Sequence, residues 1–139
     1  MKTISIILRL LVSIILLQSL YFKFSGHAEA VHIFSTLGVE PWGRLGLATV
    51  ELLVGVGLLF NKTYIRAAFL ATGLMVGAIG VHLLTPVGIA VQWDRMSDNG
   101  QLFAMAVTAF IASILIQYFR IKKNKYSLVE YLKKEILTL

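Results

Sequence analysis

The chain has 139 residues, with 13 basic and 7 acidic side chains, and 58% of it is hydrophobic, against roughly 45–50% in a soluble domain. So much apolar surface excludes an intrinsically disordered chain, and a single small soluble core could not bury it. Cysteine is absent, which excludes disulfides, thiolate metal sites and dithiol redox relays within the chain.

The apolar residues lie in long blocks, and mean hydropathy is +0.81. Four stretches, about 4–22, 42–60, 64–84 and 101–119, approach the ~20 residues that span a bilayer as helix. Backbone in hydrocarbon must satisfy its own hydrogen bonds, so all four are read as helices. The expected fold is all-α: a polytopic four-helix antiparallel bundle over residues 1–125, followed by a short tail.

The first connection, 23–41, is mixed polar, with two His and two Glu. At the N-terminal end, Lys2, an apolar run and Ala28-Glu29-Ala30 have the outline of a cleavable signal. The run is longer than the usual ~7–15 residues and Lys23 interrupts it, so a retained helix is expected. The second connection, 61–63, is a tight turn and makes a hairpin of the helices around it. The third, 85–100, is a polar loop with Pro86, Gly88 and Trp93. In the tail, 126–139, Ser127 and Glu130 have capping-box spacing. Leu128, Leu132, Ile136 and Leu139 form one stripe, so a basic amphipathic helix at the membrane surface is expected.

Ten Lys and Arg fall on one side of this arrangement, while Lys23, Arg44 and Arg95 fall on the other. The excess predicts that both termini are cytoplasmic. It reads as a topology signal and not as a nucleic-acid surface. Trp42, Trp93 and Tyr21 are expected at the outer interface, and Tyr64, Tyr118 and Phe119 at the inner one.

Ionisable residues inside a membrane are costly and mark candidate sites. Glu51 lies nine residues into the second stretch, roughly 14 Å from its outer end. Such a carboxylate is either neutral or paired. Lys23, at the outer end of the first helix, can turn inward towards it, whereas Arg44 is two turns away. His82, near the outer end of the third helix, completes the candidate pocket. Either Glu51 binds a head group or moves a proton, or it pins the bundle through hydrogen bonds. Arg9 and Arg66 are secondary candidates near the inner side, where both can snorkel to head groups, and Arg44 is a third at the outer side. Gln18 and Gln117 can hydrogen-bond between helices. Gly73 and Gly77 form a GxxxG element with Gly80 one turn later. Gly55 thins the second helix, and Ala104, Thr108 and Ala112 repeat small-residue spacing in the fourth. These are expected to set helix packing, within one chain or between two. No phosphate loop, HExxH or nucleophile elbow is present. No catalytic set is complete, so an enzyme is not the favoured reading. The three His (27, 32 and 82) do not define a metal site.

In order and spacing these residues resemble the DoxX family. They are Arg9 in the first helix, Lys23-Phe24 after it, Leu37-Gly38-Val39-Glu40-Pro41 before the second, Glu51 with Gly55, Arg66-Ala67-Ala68 opening the third, and His82 near its end. The resemblance covers about residues 9–84, and the fourth helix fits by hydropathy. It implies a four-helix bundle in a bacterial inner membrane. The family's name comes from terminal-oxidase and thiosulfate:quinone oxidoreductase subunits, and other members are linked to redox-associated complexes.

The function expected is therefore a non-catalytic subunit or accessory factor of a redox-associated membrane complex. A polar pocket of Glu51, Lys23 and His82 would bind a quinone or a lipid head group. The alternative is a small oligomeric transporter or channel with Glu51 on a proton or solute path. Expected partners are the lipid bilayer, other membrane subunits and a second copy of the chain.

Overall fold

The computed structural model describes residues 2–138. Four long helices dominate: α1 (Lys2–Ser25), α3 (Trp42–Leu59), α4 (Tyr64–Leu84) and α5 (Gln101–Asn124). Each is long and apolar enough to cross a membrane. Their exposed large side chains, such as Ile7, Ile14, Leu53, Leu70 and Ile111, are apolar, as a hydrocarbon surroundings requires. The fold is the expected all-α polytopic bundle. α1 and α5 run several residues past the expected ends, because amphiphilic residues such as Lys23 and Arg120 continue the helix after the apolar run stops.

The connections hold more order than their composition suggests. A short helix, α2 (Ala28–Thr36), forms within the mixed polar connection 23–41. Gly26 makes room for it at φ +68, the left-handed conformation that ends helices. The ring Nδ1 of His27 accepts from the Glu29 N–H at 3.4 Å, capping the new helix. A cis peptide joins Glu40 to Pro41 at the start of α3. Between α4 and α5 lies a minimal hairpin, β1 (Gln92–Trp93) and β2 (Met96–Ser97). Asp98 ties this hairpin to α5 by accepting from the N–H groups of Val91, Gly100 and Leu102.

In the bundle α1 packs on α3 and α5, and α4 packs on α5 and α3, with α1 and α4 on the diagonal. Ser13 donates to the Gly55 carbonyl at 2.8 Å. A Cβ on Gly55 would stand 2.8 Å from Leu17 Cδ2, so Gly55 does allow close approach of α1 and α3. The other expected glycines behave differently. A Cβ at Gly73, Gly77 or Gly80 would meet nothing within 4 Å, so within this chain they bring no backbones together. In α5 the buried small residues are Ala106, Ala109, Ala112 and Ser113, while Ala104 and Thr108 are exposed. The seam is thus displaced from the expected one. The inner half of the bundle is filled by Val12, Leu58, Ala68 and Ile116, all buried.

The tail is docked against the bundle. The capping box at Ser127 and Glu130 is present and opens α6 (Leu128–Tyr131), which passes into a π-helical turn, Leu132–Leu137. Tyr131 is 2% exposed and donates to Gln117 Oε1 at 3.0 Å. Gln117 in turn donates to Thr72 Oγ1 at 2.8 Å. Arg120 pairs with Glu135 at 2.7 Å, and Arg66 donates to the carbonyls of Glu135 and Thr138. Leu132 and Ile136 pack against the core. Leu128 is exposed, and Leu139 lies outside the described residues. The bundle takes up part of the stripe that was expected to face lipid.

Candidate functional site

α1 carries Ser19 and Lys23 one turn apart, and α3 carries Glu51 opposite them. Lys23 Nζ stands 2.7 Å from Glu51 Oε2 and 3.0 Å from Ser19 Oγ. Ser19 Oγ also lies 3.0 Å from Glu51 Oε2 and 2.8 Å from the Leu16 carbonyl. A serine hydroxyl has one proton, so those two acceptors share it. The ion pair is largely enclosed, with side-chain exposures of 16% for Lys23 and 7% for Glu51. Sequence reasoning brought Lys23 to Glu51 but missed Ser19, whose i, i+4 spacing from Lys23 was the available signal.

The pair still has capacity. An ammonium has three N–H donors, and Lys23 uses two of them here. Glu51 Oε1 accepts no hydrogen bond from the described residues, and it is not sealed away from space either. Both groups line a cavity of about 580 Å³ that runs between the four long helices from mid-bundle outward, and Ile33 and Phe34 of α2 and Leu37 just after it also line it. The remaining wall is almost wholly apolar. His82 lines the same cavity but does not touch the ion pair. Its Nδ1 lies 2.6 Å from the Gly88 carbonyl. A carbonyl only accepts, so Nδ1 carries a proton there, and Nε2 has no hydrogen-bond partner among the described residues. Phe103 packs edge-on against the ring.

A second cavity of about 360 Å³ adjoins the first and shares Ser19, Lys23, Ile33, Phe34, Leu102 and Met105 with it. Its own wall is more polar, with Gln18, Glu29, Asp98, Asn99 and Gln101. Gln18 donates across it to Met105 Sδ at 3.1 Å. Burial and the nearby Asp98 charge hold the half-buried Glu29 carboxyl above the usual carboxylate range, against the opposing effect of His27. The ion pair therefore sits where a polar outer chamber meets an apolar inner one.

The three candidate arginines stand elsewhere. Arg9 is buried and donates to the carbonyls of Leu58 at 2.7 Å and Leu59 at 2.9 Å, and to Asn61 Oδ1 at 2.9 Å. Its guanidinium stacks over Tyr64, 4.3 Å from the ring centre. It is fixed at the C-terminal end of α3, where a cation is favoured, and does not snorkel. Arg44 grips Glu40 through Nε and Nη2, with contacts of 2.7–3.0 Å, and donates to the Lys23 carbonyl. Arg66 holds the tail. None of the three lines either cavity. Among the described residues, no three His, Asp or Glu side chains gather where a metal ion would fit.

The family model described as DoxX matches residues 4–85, which hold Arg9, Lys23, Glu51 and His82. No curated protein and no solved structure matches this chain.

Proposed function

This chain belongs to the DoxX family, and from that premise we propose that it is a non-catalytic subunit or accessory factor of a redox-associated membrane complex. It holds the head group of a quinone or of a lipid at Lys23, Glu51 and His82. One observation carries the reading: a Lys–Glu pair with an unused donor and an unused acceptor forms the polar end of an otherwise apolar cavity. An amphiphile fits both parts. A quinone would offer carbonyl acceptors to the spare Lys23 proton and, when reduced, hydroxyl donors to Glu51 Oε1 or His82 Nε2. A lipid head group with acceptors and donors meets the same set. The filled inner half around Val12, Leu58 and Ile116 favours a pocket that is blind at its inner end over a through-path for ions or solutes.

We place the protein in a bacterial inner membrane with both termini cytoplasmic. Single cysteines introduced at Lys62 and Arg95 would label from opposite sides, and the cysteine-free chain supplies a clean background.

The test of the pocket is native mass spectrometry of protein gently extracted from membranes, with lipid extraction of the same sample. A bound quinone or lipid that is lost in Glu51→Gln and Lys23→Gln supports the reading. Wild-type protein that stays ligand-free when offered both classes refutes it.

A further inference from the structure

α4 carries Gly73, Gly77 and Gly80 inside a helix of 21 residues. Glycine there weakens a helix relative to alanine. In membrane helices that loss is ordinarily offset by a neighbouring helix coming close. No helix does so here, since a Cβ at any of the three meets nothing within 4 Å. By contrast, a Cβ on Gly57 would stand 3.2 Å from Ala67 Cβ across the hairpin.

Gly73 and Gly77 line the larger cavity, and Gly80 does not. Counted outward from the tight turn at 60–63, Gly73 is level with Val50, and Gly77 is within one residue of the level of Leu47. Both of those α3 residues line the same cavity. Val50, Phe69 and Leu70 belong to its wall and are also exposed, at 43%, 41% and 55%. The cavity therefore opens sideways between α3 and α4, on the surface that faces hydrocarbon. Its wall also holds two buried polar groups, Glu51, 5% exposed, and His82, 8% exposed. Neither Glu51 Oε1 nor His82 Nε2 has a partner among the described residues.

We propose that the cleft between α3 and α4, from the middle of the bundle outward, is a lateral portal. The apolar chain of an amphiphilic ligand enters through it from the bilayer and lies across Gly73 and Gly77. The proposal rests on the head-group reading and adds the route and the chain. A helix is about 10–12 Å across, so one laid over the mouth from a second copy would leave the buried polar groups Glu51 and His82 without a partner. A single hydrocarbon chain is thin enough to follow the glycines inward and carry a head group to Lys23, Glu51 and His82. Quinones and phospholipids share this chemistry.

The experiment uses the full chain in detergent with three probes: a long-chain ubiquinone, dioleoylphosphatidylethanolamine and a chain-less benzoquinone with the ubiquinone ring. Binding and oligomeric state are read together by native mass spectrometry. Gly73→Leu and Gly77→Leu are expected to weaken the long-chain probe that the wild type holds by about tenfold or more. They leave the chain-less quinone bound as before. Gly80→Leu, also open but off the cavity, has no effect. Gly77→Ala, which adds one carbon in open space, gives an intermediate loss and keeps the test readable if a leucine variant fails to fold. Which long-chain probe the wild type retains separates the two ligand sources. Unchanged long-chain binding in the Gly73 and Gly77 variants overturns the portal and leaves the head-group reading standing. Unchanged binding with an altered oligomeric state overturns it too, by assigning the glycine face to a contact between copies. A wild type that binds none of the probes sinks the head-group reading, and the portal with it.

Discussion

Arg9 and Arg44 perform the same service in opposite directions. Arg9, near the start of α1, closes the C-terminal end of α3 through the carbonyls of Leu58 and Leu59. Arg44, near the start of α3, reaches the Lys23 carbonyl in the last turns of α1. Each antiparallel partner thus supplies the cation that the other's free carbonyls require. Replacing Arg9 by Met strands two carbonyls and Asn61, and is expected to cost about 2–4 kcal/mol. Arg9→Lys restores less than half of that, because an ammonium lacks the planar fork. Thermal unfolding in detergent measures both. Equal stability of Arg9→Met and wild type would show that water replaces the guanidinium without loss.

Lys23 and Glu51 should behave as a coupled unit. Removing one partner leaves a buried charge alone, at a cost of about 3 kcal/mol, whereas removing both is closer to neutral. Lys23→Met and Glu51→Leu are each expected to be less stable than the double variant. A double-mutant cycle on unfolding free energy gives the sign directly. Additive losses would mean that the two groups are solvated independently.

The tail is expected to come loose in stages. Tyr131→Phe leaves Gln117 Oε1 without its donor and costs about 1–2 kcal/mol. Burial, reinforced by Glu135, holds the Tyr131 phenol well above its ordinary range, so its hydroxyl stays protonated as a donor through the neutral range. Glu135→Gln removes the negative charge that pairs with Arg120. Protection of backbone amides in 128–137 from hydrogen exchange should fall in both variants while α1 and α3 keep theirs. Loss of protection throughout the bundle would show that the tail is integral to the core.

Glu29 gives a pH signature. Its carboxyl is raised above 4.5 by burial and Asp98, so the folded chain binds that proton more tightly than the unfolded chain. Stability is therefore expected to fall as pH rises from that value through the raised one. Glu29→Gln removes this part of the profile. Melting temperatures of the two proteins, taken between about pH 4 and pH 7, should diverge with the wild type declining. Parallel curves would place Glu29 in water.

Much of this was legible in the sequence, and the reason differs from place to place. The four spans followed from apolar length, which the bilayer fixes. Lys23 and Glu51 stood out because charges in hydrocarbon need partners. α2 did not stand out: nine residues with Glu29 and His32 among them have no membrane signal, and their apolar face turns inward only once Ala30 and Phe34 find the bundle. Arg9 read as a snorkelling side chain because no local pattern reveals that its acceptors lie about fifty residues away. Gly73 and Gly77 followed a packing motif whose spacing is the same whether the space is filled by a helix or left open. The tail's stripe carried no mark of which surface would take it, and Arg66 and Arg120 settle that only in three dimensions.

The docked tail also has a consequence for biogenesis. Its seat is built jointly by Arg66 and Thr72 of α4 and by Gln117 and Arg120 of α5. That seat does not exist until the last two spans have been inserted and have found each other. Residues 128–138 therefore act as an assembly mark for the pairing of α4 and α5. Protease resistance of the 128–138 segment reports a completed bundle, and cleavage within it reports helices that reached the membrane without pairing.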